Sequence, residues 1–378
     1  MTTQSPELLH VVCIAGARPN FPKLKPVIDG LEAAGARTTF VHTGQHYDDA
    51  MSEIFLTDLG IRQPDFSLGV GSGTHAQQTA RIMTSFEELI EKIRPDVAVV
   101  VGDVNSTIAC ALVGAKHGCL VAHVEAGLRS RDWDMPEEIN RVATDRLSDY
   151  LLAPSSDAVE NLYQEGYRKD QIHLVGNVMI DTLLTNRAAA ATRAPSLRAA
   201  LGVDDQPFAL ATLHRPSNVD NLDVLREMLR ALGEVARHVP VVLPTHPRTR
   251  TRLEELGLPV SDEIKIIEPL GYLDFLALQA DASLVLTDSG GVQEETTALG
   301  VPCLTLREST ERPITVTEGT NRVVGTNPDV IVAAAVEVLR DGVVARRPAL
   351  WDGHAGERVA EIIVNGGRAA GHKRPTDI

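Results

Sequence analysis

Cysteine is scarce in this chain of 378 residues. There are four, Cys13, Cys110, Cys119 and Cys303, each inside an apolar run and none in a C-x-x-C pair. That pattern argues against a disulfide framework or a thiolate metal site; it reads as buried free thiols in a reducing, cytoplasmic setting. Long apolar runs are lacking too. None reaches the roughly 18 residues of a membrane span, and the polar start Thr2 to Glu7 leads into a strand-like run without a secretory signal pattern. The third shortage is positive charge: 36 basic against 51 acidic residues give a net charge of −15. Such a surface repels nucleic acid and anionic membranes, so an anionic ligand requires a local basic pocket. Neither an internal repeat of fixed period nor a low-complexity segment is present.

What remains is an ordinary globular composition, 43% apolar and 23% charged, on a length that allows two domains. Strand-like runs alternate with helical patterns. In the first half the strands are Leu9–Ala15, Thr38–Thr43, Val97–Val101, Leu120–Val124 and Tyr150–Ala153, separated by helical stretches such as Lys23–Ala34, His75–Ile93 and Glu137–Leu147. This order predicts a parallel sheet covered on both faces. The pattern restarts at Phe208–Leu213, with further strands at Val239–Leu243, Ile264–Ile267, Leu284–Thr287 and Pro302–Thr305. The segment 181–206, rich in Ala and Arg, reads as a linker helix and loop. The expected fold is α/β, two doubly wound Rossmann-like domains facing a central cleft. The first spans residues 1–178 and takes back a C-terminal tail from about 352 to 378; the second spans 179–351.

The most telling stretch is Ser283-Leu-Val-Leu-Thr-Asp288-Ser289-Gly290-Gly291-Val-Gln-Glu-Glu295. An apolar strand breaks at paired glycines and a helix starts at once. Without Cβ atoms in the way, a phosphate can approach the backbone, and the helix N-terminus offers unpaired N–H groups to the anion. Ser289 adds a hydroxyl, and Glu295, one turn in, suits ribose hydroxyls. A diphosphate-bearing ligand is the reading; an ordinary βα turn is the bland alternative.

Other polar residues sit where strands end. Gly16-Ala17-Arg18-Pro19-Asn20-Phe21-Pro22-Lys23 lacks the order of a Walker A loop but brings Arg18 and Lys23 to a helix start. Asp103, in Gly102-Asp103-Val104-Asn105-Ser106-Thr107, ends one strand, or else caps the next helix. Glu125, in His123-Val124-Glu125-Ala126-Gly127-Leu128-Arg129, ends another. Burial there favours a raised pKa and proton transfer; a plain pairing with Arg129 is the alternative. Pro136-Glu137-Glu138-Ile139-Asn140-Arg141 opens a helix on which Glu137 and Arg141 share a face. His214, in Leu213-His214-Arg215-Pro216-Ser217-Asn218, ends the first strand of the second half, able to contact a diphosphate and give it a proton. His246 is a weaker echo, read as structural or peripheral. Arg312, in Glu311-Arg312-Pro313, is placed to close on a phosphate cradle.

The ordered set GARPNFPK, GDVNST, HVEAGLRS, PEEINR, LHRPSN, TDSGGVQEE and TERP resembles the non-hydrolysing UDP-N-acetylglucosamine 2-epimerases over about Val11 to Asn327. The resemblance implies the two-Rossmann-domain fold shared with GT-B glycosyltransferases, a homodimer, and no need for a metal or nicotinamide cofactor. Carried over by position, Arg18, Lys23, His214, Ser289, Gly291, Glu295 and Arg312 match positions that bind UDP and its diphosphate, with Gly290 in the same turn. Phe275 falls where uracil packs. Asp103, Glu125 and Glu137 match the catalytic acids, and Arg141 an arginine that accompanies them. Two departures stand out. Family members often read HRREN where this chain has His214-Arg215-Pro216-Ser217-Asn218. Of the positions tied to a second, regulatory nucleotide sugar, Gln45 is kept, but Tyr47-Asp48-Asp49 and the arginine-free stretch Ser67–His75 depart from the pattern.

The implied reaction inverts C2 of a UDP-sugar by anti elimination of UDP to 2-acetamidoglucal and re-addition from the opposite face. The alternatives left open are an epimerase of a modified UDP-hexosamine, a hydrolysing 2-epimerase, a GT-B glycosyltransferase and a catalytically silent sensor.

Overall fold

The computed structural model describes residues 8–17, 19–45, 58–204, 206–245, 247–257 and 264–370. The chain divides into two compact units, Met1–Thr182 with Ala349–Ile378, and Leu183–Pro348.

The first unit holds a seven-stranded sheet built from β1 (His10–Ala15), β2 (Arg37–His42), β3 (Phe66–Ser67), β4 (Val97–Val101), β5 (Leu120–Val124), β6 (Tyr150–Ala153) and β7 (Ile172–Leu174). Their order is β3-β2-β1-β4-β5-β6-β7, and every pairing is parallel. Strand order therefore reverses between β1 and β4. Crossover helices follow most strands, among them Asn20–Ala33, Asn105–Lys116 and Pro136–Leu147. Strands β1 and β4 are buried along their whole length, which is why they read as continuous apolar runs.

The second unit repeats the design with β8 (Ala209–Thr212), β9 (Val241–Pro244), β10 (Ile264–Ile267), β11 (Leu284–Thr287), β12 (Cys303–Thr305) and β13 (Asn321–Val323). The order is β10-β9-β8-β11-β12-β13, again all parallel. Alternate residues feed opposite faces, as the two-residue period of a strand demands. Ala209, Ala211, Val241, Leu243, Leu284 and Leu286 join one core cluster. Leu210, Val242 and Val285 join the other.

Strands β3, β7 and β13 are absent from the sequence-based expectation. Each is only two or three residues long, β3 exposed at both residues and β7 and β13 only partly buried, so none carries an apolar run. The linker helix runs from Val178 to Leu201, beginning before the expected segment. The tail forms a helix over Ala355–Ala370 that lies against Asn20–Ala33 within the first unit. Gly30 and Gly356 make the approach possible: a Cβ on Gly356 would stand 2.3 Å from the Pro26 carbonyl oxygen. Trp351 anchors the return, wholly buried, with its indole N–H donated to the Pro154 carbonyl at 2.9 Å.

Among the described residues, no helix is long and apolar enough to cross a membrane, and no cluster of three or more His, Cys, Asp or Glu is placed to hold a metal ion. All four thiols are free and buried; burial pushes those of Cys13 and Cys303 up to about 12.

Candidate functional site

In a doubly wound sheet, ligands gather at the carboxyl edge, where strand order reverses. In the first unit the turn after β1 is held by Asn20. This buried side chain accepts the N–H groups of Gly16 and Ala17 at 3.0 and 2.9 Å. Helix 20–33 starts there, and its Lys23 reaches across so that Nζ meets Oε2 of Glu125 at 2.7 Å. Arg18 lies outside the described residues, as do Tyr47-Asp48-Asp49 and His246.

Glu125 directly follows β5. Its carboxylate is buried, and its cation is Lys23, not Arg129. The Arg129 guanidinium goes instead to Asp145 and Glu165, each at 2.7 Å. Two features mark Glu125. Its backbone adopts φ 73°, a left-handed conformation that a side chain disfavours. Its Oε1 is buried with no hydrogen-bond donor among the described residues, where buried carboxylate oxygens are normally satisfied.

Asp103 follows β4 after Gly102, whose φ of 70° turns the chain. It does not cap helix 105–116, whose N-cap residue is Val104. Its Oδ2 takes Nη2 of Arg141 at 2.5 Å, and Nη1 of Arg141 goes to Oε2 of Glu138 at 2.6 Å. The partner of Arg141 on its own helix is thus Glu138 at i,i+3, not Glu137. Glu138 also accepts the backbone N–H groups of Ser130 and Arg131. Burial pushes the Glu138 carboxyl up, but those N–H groups and the Arg141 guanidinium outweigh it and hold it below the usual range. Glu137, half-buried in the first helical turn, follows Pro136 on the same helix.

In the second unit His214 follows β8 and presents an exposed ring to the carboxyl edge. Its Nδ1 meets Oδ1 of Asp288 at 2.7 Å, and Asp288 has no exposed surface. Asp288 also accepts the backbone N–H groups of His214 and Arg215 and the side-chain amide of Asn218. Burial would raise its pKa; the His214 ring and these donors win and hold it low. One carboxylate therefore ties the turn after β8 to the turn after β11.

That second turn carries Ser289, Gly290 and Gly291, and helix Gly290–Leu299 begins at once with Ser289 as its N-cap residue. The two glycines differ. A Cβ on Gly290 would lie 3.1 Å from Oε1 of Glu311, whereas a Cβ on Gly291 would meet nothing within 4 Å. The backbone is accordingly bare at Gly291. Glu295, one turn in, is buried and accepts the Tyr272 hydroxyl at 3.3 Å. Burial pushes its carboxyl up to about 7, only partly opposed by the hydrogen bonds from Gln279 and Tyr272. Phe275 lies on helix Tyr272–Asp281 one turn beyond Tyr272, half-buried against the core cluster of Phe208 and Leu278.

Arg312 is buried, with Nε facing Oε1 of Glu294 at 2.7 Å. Arg215 and Arg307 flank Glu311 at 2.8 and 2.7 Å. Burial works to raise Glu311, but Arg312, Arg307 and Arg215 pull it down to about 2.

Each unit thus sets strand-end candidates at one sheet edge, Asp103 and Glu125 in the first and His214 with Ser289 to Gly291 in the second. Sequence reasoning missed the supporting set: Asn20, Glu138, Asp288, Glu294 and Glu311. All five lay within motifs already noted, but nothing in sequence order tells which carboxylate of an adjacent pair turns inward. Gln45 is buried, its side-chain oxygen accepting the Ser106 N–H and hydroxyl.

Two doubly wound parallel sheets, each with polar turns at the carboxyl edge, define the GT-B-like class of α/β enzymes. Comparison with known proteins narrows this. The profile of the UDP-N-acetylglucosamine 2-epimerase family matches residues 30–364, and the chain belongs to that family. It is 43% identical over 361 residues to the UDP-N-acetylglucosamine 2-epimerase of Methanocaldococcus jannaschii, covering 93% of this chain and 98% of that one. It is equally 43% identical over 360 residues to the UDP-2,3-diacetamido-2,3-dideoxy-D-glucuronate 2-epimerase of Pseudomonas aeruginosa, covering 94% and 99%. The crystal structure of the M. jannaschii UDP-GlcNAc 2-epimerase in complex with UDP-GlcNAc and UDP matches with a TM-score of 0.86 at 42% identity, over 95% of this chain and 100% of that one.

Proposed function

We propose that this chain is a non-hydrolysing UDP-N-acetylglucosamine 2-epimerase, interconverting UDP-N-acetylglucosamine and UDP-N-acetylmannosamine. The C2 proton of such a sugar is scarcely acidic, because no carbonyl flanks it. Departure of UDP from C1 solves this: positive charge grows on the ring and the C2 proton becomes removable. Anti elimination gives UDP and 2-acetamidoglucal; re-addition with protonation from the other face inverts C2.

The observation that carries the reading is Glu125, a buried carboxylate on strained backbone whose Oε1 has no donor among the described residues. A group held in that state is suited to exchange a proton with a substrate. Asp103, fixed by Arg141, and Glu137 are the further acids of the first unit, and Lys23 with Arg18 supplies cations. The second unit holds leaving UDP. The bare backbone at Gly291, Ser289 and the helix N-terminus receive the diphosphate, with His214 as proton donor and Arg312 beside them. Glu295 takes the ribose and Phe275 the uracil. A homodimer working in the cytoplasm without a cofactor completes this reading, in line with four buried free thiols.

A second reading has a specific observation behind it: the equal identity to a relative named for a diacetamido uronic-acid sugar. Incubating the protein in deuterated buffer with a panel of UDP-sugars, followed by proton NMR of C2, separates the two. Exchange and inversion of UDP-N-acetylglucosamine are expected. Preference for the diacetamido glucuronate would select the second reading, and no exchange with any UDP-sugar would overturn both.

A further inference from the structure

Helix 136–147 reaches the acid-bearing turns of its unit by a second route besides Arg141. Four residues on, Asp145 is fully buried, and its Oδ1 meets Nδ1 of His123 at 2.6 Å. Its Oδ2 accepts the Gly127 N–H at 3.1 Å and pairs with Nη2 of Arg129 at 2.7 Å. His123 is equally without exposed surface, and its Nε2 lies 2.8 Å from the Gly102 carbonyl oxygen. Gly102 donates its own N–H to Val124 at 3.1 Å. The His123 contact therefore fixes the peptide from which Asp103 departs. The same turn borders Glu125: a Cβ on Gly102 would stand 3.5 Å from Glu125 Oε2 and 3.8 Å from Lys23 Nζ.

The donor count decides the state of the ring. A carbonyl oxygen has no proton to offer. Asp145 has little reason to hold one: burial pushes its carboxyl up, yet His123 and Arg129 keep it below the usual range. Both ring nitrogens thus face acceptors. A neutral imidazole has one N–H and would set the other nitrogen against an acceptor inside a buried site, where an unmade hydrogen bond is costly. The imidazolium satisfies both.

We infer that His123 is a buried imidazolium, locked by Asp145, that acts as a positioning residue by pinning the Gly102 carbonyl and thereby the Asp103 turn against Glu125. Nothing in its placement lets it touch substrate; its effect passes through the two acids. The kinetic part of this inference rests on the epimerase reading above, while the charge of the ring does not.

The full-length protein labelled with 15N-histidine tests the charge directly. Expected is one ring, the slowest to exchange its protons with solvent, that carries an N–H on both nitrogens at pH 7.5. A slow-exchanging ring in a neutral tautomer at pH 7.5 overturns the inference. Asp145→Asn keeps the shape and removes the charge. Its kcat for C2 exchange is expected to fall about tenfold to a hundredfold, with KM and UDP affinity within threefold. A folded Asp145→Asn enzyme with kcat within twofold of the parent overturns the positioning role. Should that variant not fold, the spectrum of the parent protein decides; should the parent exchange no UDP-sugar, the functional reading fails and the spectrum still settles the ring.

Discussion

Lys23 Nζ stands 2.7 Å from Glu125 Oε2, so the ammonium of the helix after β1 and the carboxylate at the end of β5 form one ion pair. The pair joins two segments 102 residues apart at the sheet edge. It orients one carboxylate oxygen and leaves the other, Oε1, buried with no donor among the described residues. An acid so divided, one oxygen held and one unused, suits proton exchange better than a doubly satisfied one.

Glu125→Gln preserves volume and removes the proton-accepting oxygen. General acid–base groups contribute about 10²- to 10⁴-fold, so C2 exchange should fall at least a hundredfold. UDP affinity, measured by calorimetry, should stay within threefold. An E125Q enzyme of normal activity removes Glu125 from proton transfer.

The two glycines of the second unit should respond differently to alanine. Gly291→Ala adds a methyl group to open space; melting temperature should hold while UDP affinity drops, because the methyl occupies the ground where phosphate approaches. Gly290→Ala places its methyl 3.1 Å from Glu311 Oε1, which Arg215 and Arg307 hold in place. Destabilisation of about 1–3 kcal/mol is expected, read from denaturant melts. Equal effects of both substitutions on stability and binding would contradict this division.

Glu295 and Glu311 should shape stability against pH in opposite senses. Glu295 rises from 4.5 to about 7 on folding. The native state therefore binds the extra proton, and this contribution is full below about pH 4.5 and lost as pH climbs to about 7. Glu311 falls from 4.5 to about 2; its contribution is full above about pH 4.5 and lost as pH drops toward 2. Denaturant melts of Glu295→Gln should lack the decline between about pH 4.5 and 7. Those of Glu311→Gln should lack much of the acid-side loss. If Glu295→Gln leaves the neutral-side slope intact, its carboxyl is not the group titrating there.

Buried parallel strands were legible in sequence because both faces of β1, β4 and β11 are covered, which forces unbroken apolar runs bounded by turns. Edge strands were not, since Phe66–Ser67 is exposed on both residues and its pairing to β2 is set by the sheet, not by its own composition. The candidate site divides along the same line. His214, Asp103 and Glu125 stood out because a polar residue ending an apolar strand is conspicuous. Glu138 did not, being adjacent to Glu137 in a helix opening where only packing decides which carboxylate turns inward.

The sequence by itself determined the alternation of strand and helix, the two-sheet α/β class and the position of polar groups at strand ends, because these follow from local periodicity and turn chemistry. Tertiary structure alone decided the partners: Lys23 with Glu125, Arg141 with Asp103 and Glu138, His123 with Asp145 and Gly102, His214 with Asp288. Such pairings join residues up to 102 positions apart, and an ion pair depends on distances of a few ångströms that only the assembled sheet fixes.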